Sequence, residues 1–194
     1  MRTEARNIYT AAELKDKFPT AFENALEQYR ERQGAERPAW NGEICASGRA
    51  AVEAAGLTLR DWSVDGGNPS ASFYRIDGFG NSYDENATGD YTGRKAREWI
   101  NAAFAHALEG KRLNWRGREP GNCPFTGYCA DDDVLDGIKA AIKSGDTLRE
   151  AFEGIAFTVA KICEAEAAYE QTEAFFLDHA EANGYEYDEN GAAV

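Results

Sequence analysis

Long hydrophobic runs are missing from this 194-residue chain; its apolar stretches last only a few residues, far short of the ~20 that cross a bilayer. The opening residues, "MRTEARNIYT", have basic side chains but no apolar core behind them, so no secretory leader is expected. The four cysteines, Cys45, Cys123, Cys129 and Cys163, are accordingly expected to be reduced, in a cytoplasmic protein. Histidine is scarce as well, with only His106 and His179, far apart in sequence. No G-x-S-x-G nucleophile elbow occurs, and neither a G-x-G-x-x-G nor a P-loop pattern is present. These gaps remove the usual hydrolase and nucleotide-binding signatures. What remains, 43% hydrophobic and 28% charged residues, is the composition of a globular protein rather than a disordered one.

Basic residues are the other scarcity, and it is local. The net charge is −13. Residues 1–60 balance at 9 basic and 9 acidic, residues 61–120 at 8 and 9, but residues 121–194 hold 4 basic against 16 acidic. Direct nucleic-acid binding needs a basic face, so the last third argues against it. Such a surface serves solubility, or it is aimed at a basic partner.

Along the chain, Thr10 and Glu13 make a capping box that opens a short helix, and Pro19 suits the first turn of the next. That second helix is expected to run to about Arg32 with Phe22, Leu26 and Tyr29 inward. A third is expected over 39–56, with Trp40, Ile44 and Val52 inward and Gly56 at its end. The period then shortens. "LTLRDWSV" alternates with a slip near Arg60 that suggests a bulge, and "ASFYRIDGF" reads as the returning strand, with a further short strand near Tyr83. Helical spacing returns over 92–108, again from Asp131 to Gly145, and from Thr147 (capping box with Glu150) to about Gln171. "TEAFFLDHAEANG" continues as a helix, and "YEYDENGAAV" closes as a small strand and turn. The expected fold is α+β: one domain over 1–194, mostly helical, around a small antiparallel sheet.

Two stretches carry the candidate chemistry. In "NCPFTGYCADDDVLDGIKAAIKSG" the cysteines Cys123 and Cys129 are spaced C-x₅-C, with no second pair and no histidine couple, so neither a metal nor a cofactor is expected. Asp131, Asp132 and Asp133 sit where a helix begins, where carboxylates cap free N–H groups and complement the dipole. In the long helix, Leu148, Phe152, Ile155, Val159 and Ile162 form the core stripe, while Phe157 lies about 180° away among Glu150, Glu153, Lys161 and Glu164. Either that helix is covered on both sides, or the ring is an interface anchor ringed by solvated charge.

The segments "IYTAAELKDKFPTAFENALEQYRE", "CPFTGYCADDDVLD" and "EANGYEYDENG" together resemble, in this order and over most of the chain, a group of small proteins from tailed phages and prophages. The match loosens in the middle hairpin and departs at Pro19 and Phe125. The resemblance implies a small accessory phage protein made in the cytosol of a bacterial host, and it brings no chemistry with it. Joined to the acidic last third, it leads to an expected binding protein rather than an enzyme: an anti-CRISPR or antirestriction inhibitor that presents a nucleic-acid-like surface. Its partner would be a basic nucleic-acid-binding host protein, met by Glu150, Glu153, Phe157 and Glu164 together with Asp131, Asp132 and Asp133. No membrane and no direct nucleic acid are expected to be bound. The alternatives are a small enzyme with a site near Cys123 and Cys129, or a virion or replication accessory protein.

Overall fold

The computed structural model describes residues 7–35, 41–64, 68–76, 83–84, 88, 90–117, 123–128 and 130–194, with backbone alone at 34, 35, 75, 76, 83 and 84. Trp40, Cys129 and the end of the expected returning strand at 77–79 lie outside these residues. The architecture is α+β, mostly helical with one small antiparallel sheet, as the periodicity predicts. The chain gathers into two compact units, Met1–Ala39 with Ala165–Val194, and Trp40–Glu164, each with its own core.

In the first unit, α1 (Ala11–Lys17) opens on the expected capping box: the Glu13 N–H donates to the Thr10 hydroxyl (3.2 Å) and the Thr10 N–H to the Glu13 carboxylate (3.1 Å). Phe18 leaves helical geometry, and Pro19 starts α2 (Pro19–Ala35), which needs no N–H at that position. Phe22, Ala25, Leu26 and Tyr29 of α2 are buried. They meet α8 (Glu173–Asn183) at Phe176, whose ring lies 5.7 Å from Phe22 and 5.2 Å from Tyr29. Gly184 closes α8 in the left-handed conformation (φ 63°), which a residue with a Cβ rarely adopts. The chain then reverses, and Tyr187 makes isolated antiparallel bridges with both Tyr9 and Ala193, so the closing segment expected as a small strand and turn is reduced to single bridges around a turn.

The second unit begins with α3 (Asn41–Ala54), followed by β1 (Thr58–Ser63), β2 (Ser70–Ile76) and β3 (Tyr83–Asp84) in the order β1-β2-β3. The β1–β2 register slips between Leu59 and Asp61, which places the expected bulge at Arg60. α4 (Gly93–Ala103) is shorter than its apolar spacing suggests. Phe104 leaves helical geometry at φ −88°, ψ 5°, yet Phe104 and Leu108 stay buried from turns. Burial alone generated the period there, so spacing overran the helix.

α5 (Ala130–Ser144) follows, then α6 (Leu148–Glu153) and α7 (Ile155–Glu170). The expected single helix from Thr147 to about Gln171 is interrupted at Gly154, whose N–H donates back to the Glu150 carbonyl at 2.8 Å. The glycine stays in right-handed geometry (φ −69°, ψ −10°), and α7 takes up the helix at the next residue. Leu148, Phe152, Ile155 and Val159 are buried as their stripe requires; Ile162 is half-buried. α5 and α7 approach closely where a Cβ on Gly137 would lie 2.7 Å from the Thr158 hydroxyl, so a larger residue there requires Thr158 or a helix to shift.

Candidate partner-binding surface

Thr147 and Glu150 build the first edge of the surface. The Glu150 carboxylate accepts from the Thr147 N–H (2.7 Å) and hydroxyl (2.8 Å), and the Glu150 N–H donates back to that hydroxyl (3.2 Å). The backbone bond foremost, then the hydroxyl, hold the Glu150 carboxyl below its usual pKa range. Glu150 is exposed, but it is not merely solvated. It closes the first turn of α6, a structural duty the sequence reading allowed through the capping box but did not weigh against partner binding.

One turn on, Glu153 is exposed, and Phe157 follows on α7 with 55% of its surface in water. Of the two options for this ring, covered or anchoring, the structure has the exposed one. Lys161, one turn further, places its ammonium 5.4 Å from the Phe157 ring centre and 2.7 Å from the Glu164 carboxylate. The cation thus bridges ring and acid on one face of α7. Glu150, Glu153, Phe157, Lys161 and Glu164 recur every three to four residues, opposite a buried row of Leu148, Ala151, Phe152, Ile155 and Val159.

The three aspartates divide. Asp131 is fully buried. Its carboxylate accepts the N–H groups of Phe125 (2.8 Å), Thr126 (2.7 Å) and Gly127 (3.2 Å) and the Thr126 hydroxyl (2.9 Å). The Thr126 hydroxyl also lies 3.1 Å from that of Ser47, a buried serine on α3. This corrects both expectations for Asp131: its donors belong to the preceding loop, not to its own helix, and no partner can reach it. A buried carboxylate is tolerable only with such a set of donors. Asp132 and Asp133 are half-exposed in the first turn of α5, where their charge complements the dipole.

Asp131 also explains the loop as a whole. With three of its N–H groups gathered on one carboxylate, "CPFTGY" is tied down, and Phe125 packs edge-on against Phe104 at 5.1 Å. Cys123 sits half-buried at the loop's start, its carbonyl accepting from the Gly127 N–H (3.2 Å). Among the described residues, no three His, Cys, Asp or Glu side chains gather to hold a metal ion.

A second internal charge escaped the sequence reading. Lys139 is 3% exposed, and its ammonium donates to the Gly117 carbonyl (2.8 Å) and the Asp136 carboxylate (2.5 Å), fastening the loop after α4. The signal was available: Asp131 and Lys139 both fall on the apolar stripe of α5 with Val134, Leu135, Ile138 and Ile142. An ionised residue on a buried stripe implies a partner. That loop and the outer face of α4 carry the opposite charge to α6 and α7. Arg94, Lys111 and Arg112 line an open groove of about 550 Å³ there together with Glu98, which pairs with Arg94 at 2.7 Å, and Arg97 covers the Trp115 ring at 5.2 Å.

No protein-family model, curated protein or solved structure matches this chain. Among the described residues, no helix is long and apolar enough to cross a membrane.

Proposed function

We propose that the protein acts by binding, as a phage-encoded inhibitor of a bacterial defence system of the anti-CRISPR or antirestriction type. The exposed face of α6 and α7 docks onto a basic, nucleic-acid-binding surface of a host protein in the cytoplasm. Phe157 is buried at the centre of the contact, Glu153 meets basic side chains at its rim, and Glu164 does so on release from Lys161. The observation that carries this reading is the exposure of Phe157 in a row with Glu150, Glu153 and Glu164, where Lys161 is the one basic member. An aromatic ring left in water at the middle of a charged helix face has the make-up of an interface anchor. The charge of residues after 145, 12 acidic against 2 basic, supplies the steering toward a basic channel.

The test is affinity capture from a bacterial lysate with the wild type and with a Glu153→Lys, Glu164→Lys, Phe157→Ala variant. The protein lost with the variant is then rebound in pure form. Binding should weaken with rising salt and with added nucleic acid. Tight association that ignores both salt and nucleic acid refutes the reading.

A further inference from the structure

The first unit contains a groove that shares no residue with the α6–α7 face. It encloses about 350 Å³, within the size range of sites that take a small ligand or a few side chains. Ala12 of α1 and Leu177 of α8 contribute apolar surface, Tyr185 lines it with 45% of its surface exposed, and Glu181 and Glu186 are among its polar lining. Ala12 matters because its small, exposed side chain lets a guest side chain approach the helix closely. Neither Glu181 nor Glu186 has an ion-pair partner among the described residues, whereas Glu173, earlier on α8, is taken by Lys15 at 2.6 Å.

The groove is pre-shaped rather than adaptable. The Tyr185 N–H donates to the Ala180 carbonyl (2.9 Å) in the turn set by Gly184, and the His179 ring meets the Tyr185 ring edge-on at 5.6 Å. Two residues later, Tyr187 exchanges hydrogen bonds with Tyr9, each 2.9 Å. Tyr185 and Glu186 are therefore held from both sides, which lowers the entropy cost of binding.

Charge selects the occupant. Residues 172–194 contain six carboxylates, Glu173, Asp178, Glu181, Glu186, Asp188 and Glu189, and no lysine or arginine. An apolar groove with unpaired acids repels nucleic acid, anionic lipid and acidic peptides alike. We propose that this groove is a peptide-docking site for a short basic segment of a partner protein, in which one or two large apolar side chains enter over Ala12 and Leu177 against Tyr185. Flanking lysines or arginines pair with Glu181 and Glu186.

The full isotopically labelled chain is titrated with the capped peptide acetyl-Lys-Lys-Leu-Phe-Lys-Lys-amide and followed by two-dimensional NMR. Two control peptides accompany it, one with glutamate for every lysine and one with alanine for the leucine and phenylalanine. The basic apolar peptide should shift the amides of Ala12, Leu177, Tyr185 and Glu186, and both controls should fail. Glu181→Lys with Glu186→Lys, both at exposed positions, should weaken binding by at least about tenfold, and Tyr185→Ala by roughly tenfold. The charge variant decides the matter should Tyr185→Ala disturb the fold. Absent shifts at millimolar peptide, equal binding of the glutamate peptide, or undiminished affinity of the charge variant overturns the proposal. Concentration-dependent self-association abolished by the same substitutions also overturns it, assigning the groove to a second copy. Because the α6–α7 residues are untouched in these variants, failure here leaves the reading of Phe157 standing, and the reverse holds as well.

Discussion

Replacing Asp131 by alanine removes one buried carboxylate and strands three backbone N–H donors of the loop, held at 2.7 to 3.2 Å. The Thr126 hydroxyl loses its 2.9 Å bond to the carboxylate but keeps Ser47 at 3.1 Å as a partner. Hydrogen bonds to an ionised group contribute about 1.5–3 kcal/mol each, and a stranded buried donor costs about 1–3 kcal/mol. The sum exceeds what a mutation costs in practice, because Thr126 and Gly127 lie at the surface and water can reach part of the loop. A loss of roughly 3–5 kcal/mol is the expected outcome. Asparagine is the sharper probe. Its carbonyl oxygen can keep the three N–H donors, and the Thr126 hydroxyl can turn to accept from the new amide group, so only charge assistance is lost, roughly 1–2 kcal/mol. The described tryptophans, Trp62, Trp99 and Trp115, lie in the same unit as Asp131, so their fluorescence in urea reads that unit. With a urea slope of about 2–3 kcal/mol per molar, the alanine variant should lower the midpoint by roughly 1–2.5 M. Glu153→Ala, at an exposed position, is the reference and should stay within about 0.5 kcal/mol of wild type. An alanine variant as stable as that reference refutes the buried-staple account and returns Asp131 to the surface.

Phe157→Ala should change the stability of the second unit by no more than about 1 kcal/mol, because half the ring is already in water, while partner binding falls; a loss like that of a core phenylalanine, read by the same urea titration, shows the ring is buried. Thr147→Ala removes the hydroxyl of the α6 capping box and should cost about 1 kcal/mol by the same measurement. The Glu150 carboxyl is held below its usual range in the folded chain, so its contribution is present above the ordinary glutamate pKa and is lost as pH falls through the lowered value; Glu150→Gln should flatten that part of a stability-against-pH curve. Glu170 has the opposite sign. Burial first, then the neighbouring Glu166, raises its pKa, with His179 opposing, so the folded state holds its proton more tightly than the unfolded one. Stability from this group is therefore greatest below the ordinary glutamate value and is lost as pH rises through the raised one. Glu170→Gln should make the first unit more stable at neutral pH, as followed by tyrosine absorbance during thermal unfolding; a variant less stable at pH 7 than wild type refutes this.

How much of this could be read in advance depends on whether a feature is local. The capping boxes at Thr10 and Thr147 and the bulge at Arg60 each rest on neighbouring residues or on pairing within a hairpin, and each was legible; the extended end at Tyr187 was legible only for its turn back to Ala193, not for its bridge to Tyr9. Helix lengths were less so. Apolar spacing continues through Phe104 and Leu108 although the backbone has left the helix, because burial and helicity are different constraints. Gly154 shows the converse, a break that leaves the period undisturbed because the glycine stays right-handed.

The candidate surfaces divide along the same line. The row Glu150, Glu153, Phe157, Glu164 is a property of one stretch of chain, and spacing found it. Asp131 failed because a run of three aspartates at a helix start has a ready local explanation, capping, that satisfies the sequence without reference to the loop before it. Only the apolar stripe of α5, on which Asp131 and Lys139 both fall, argued otherwise. The groove between α1 and α8 was beyond reach, because its walls come from residues 10–12 and 177–186. The acidic count of the last third was correct, but a count does not say which carboxylates surround an apolar floor, which cap a helix and which are buried. Glu181, Glu150 and Asp131 take these three roles in turn. In the proposed reading, net charge names the sign of the partner, and the apolar surface beside each carboxylate determines where that partner can dock.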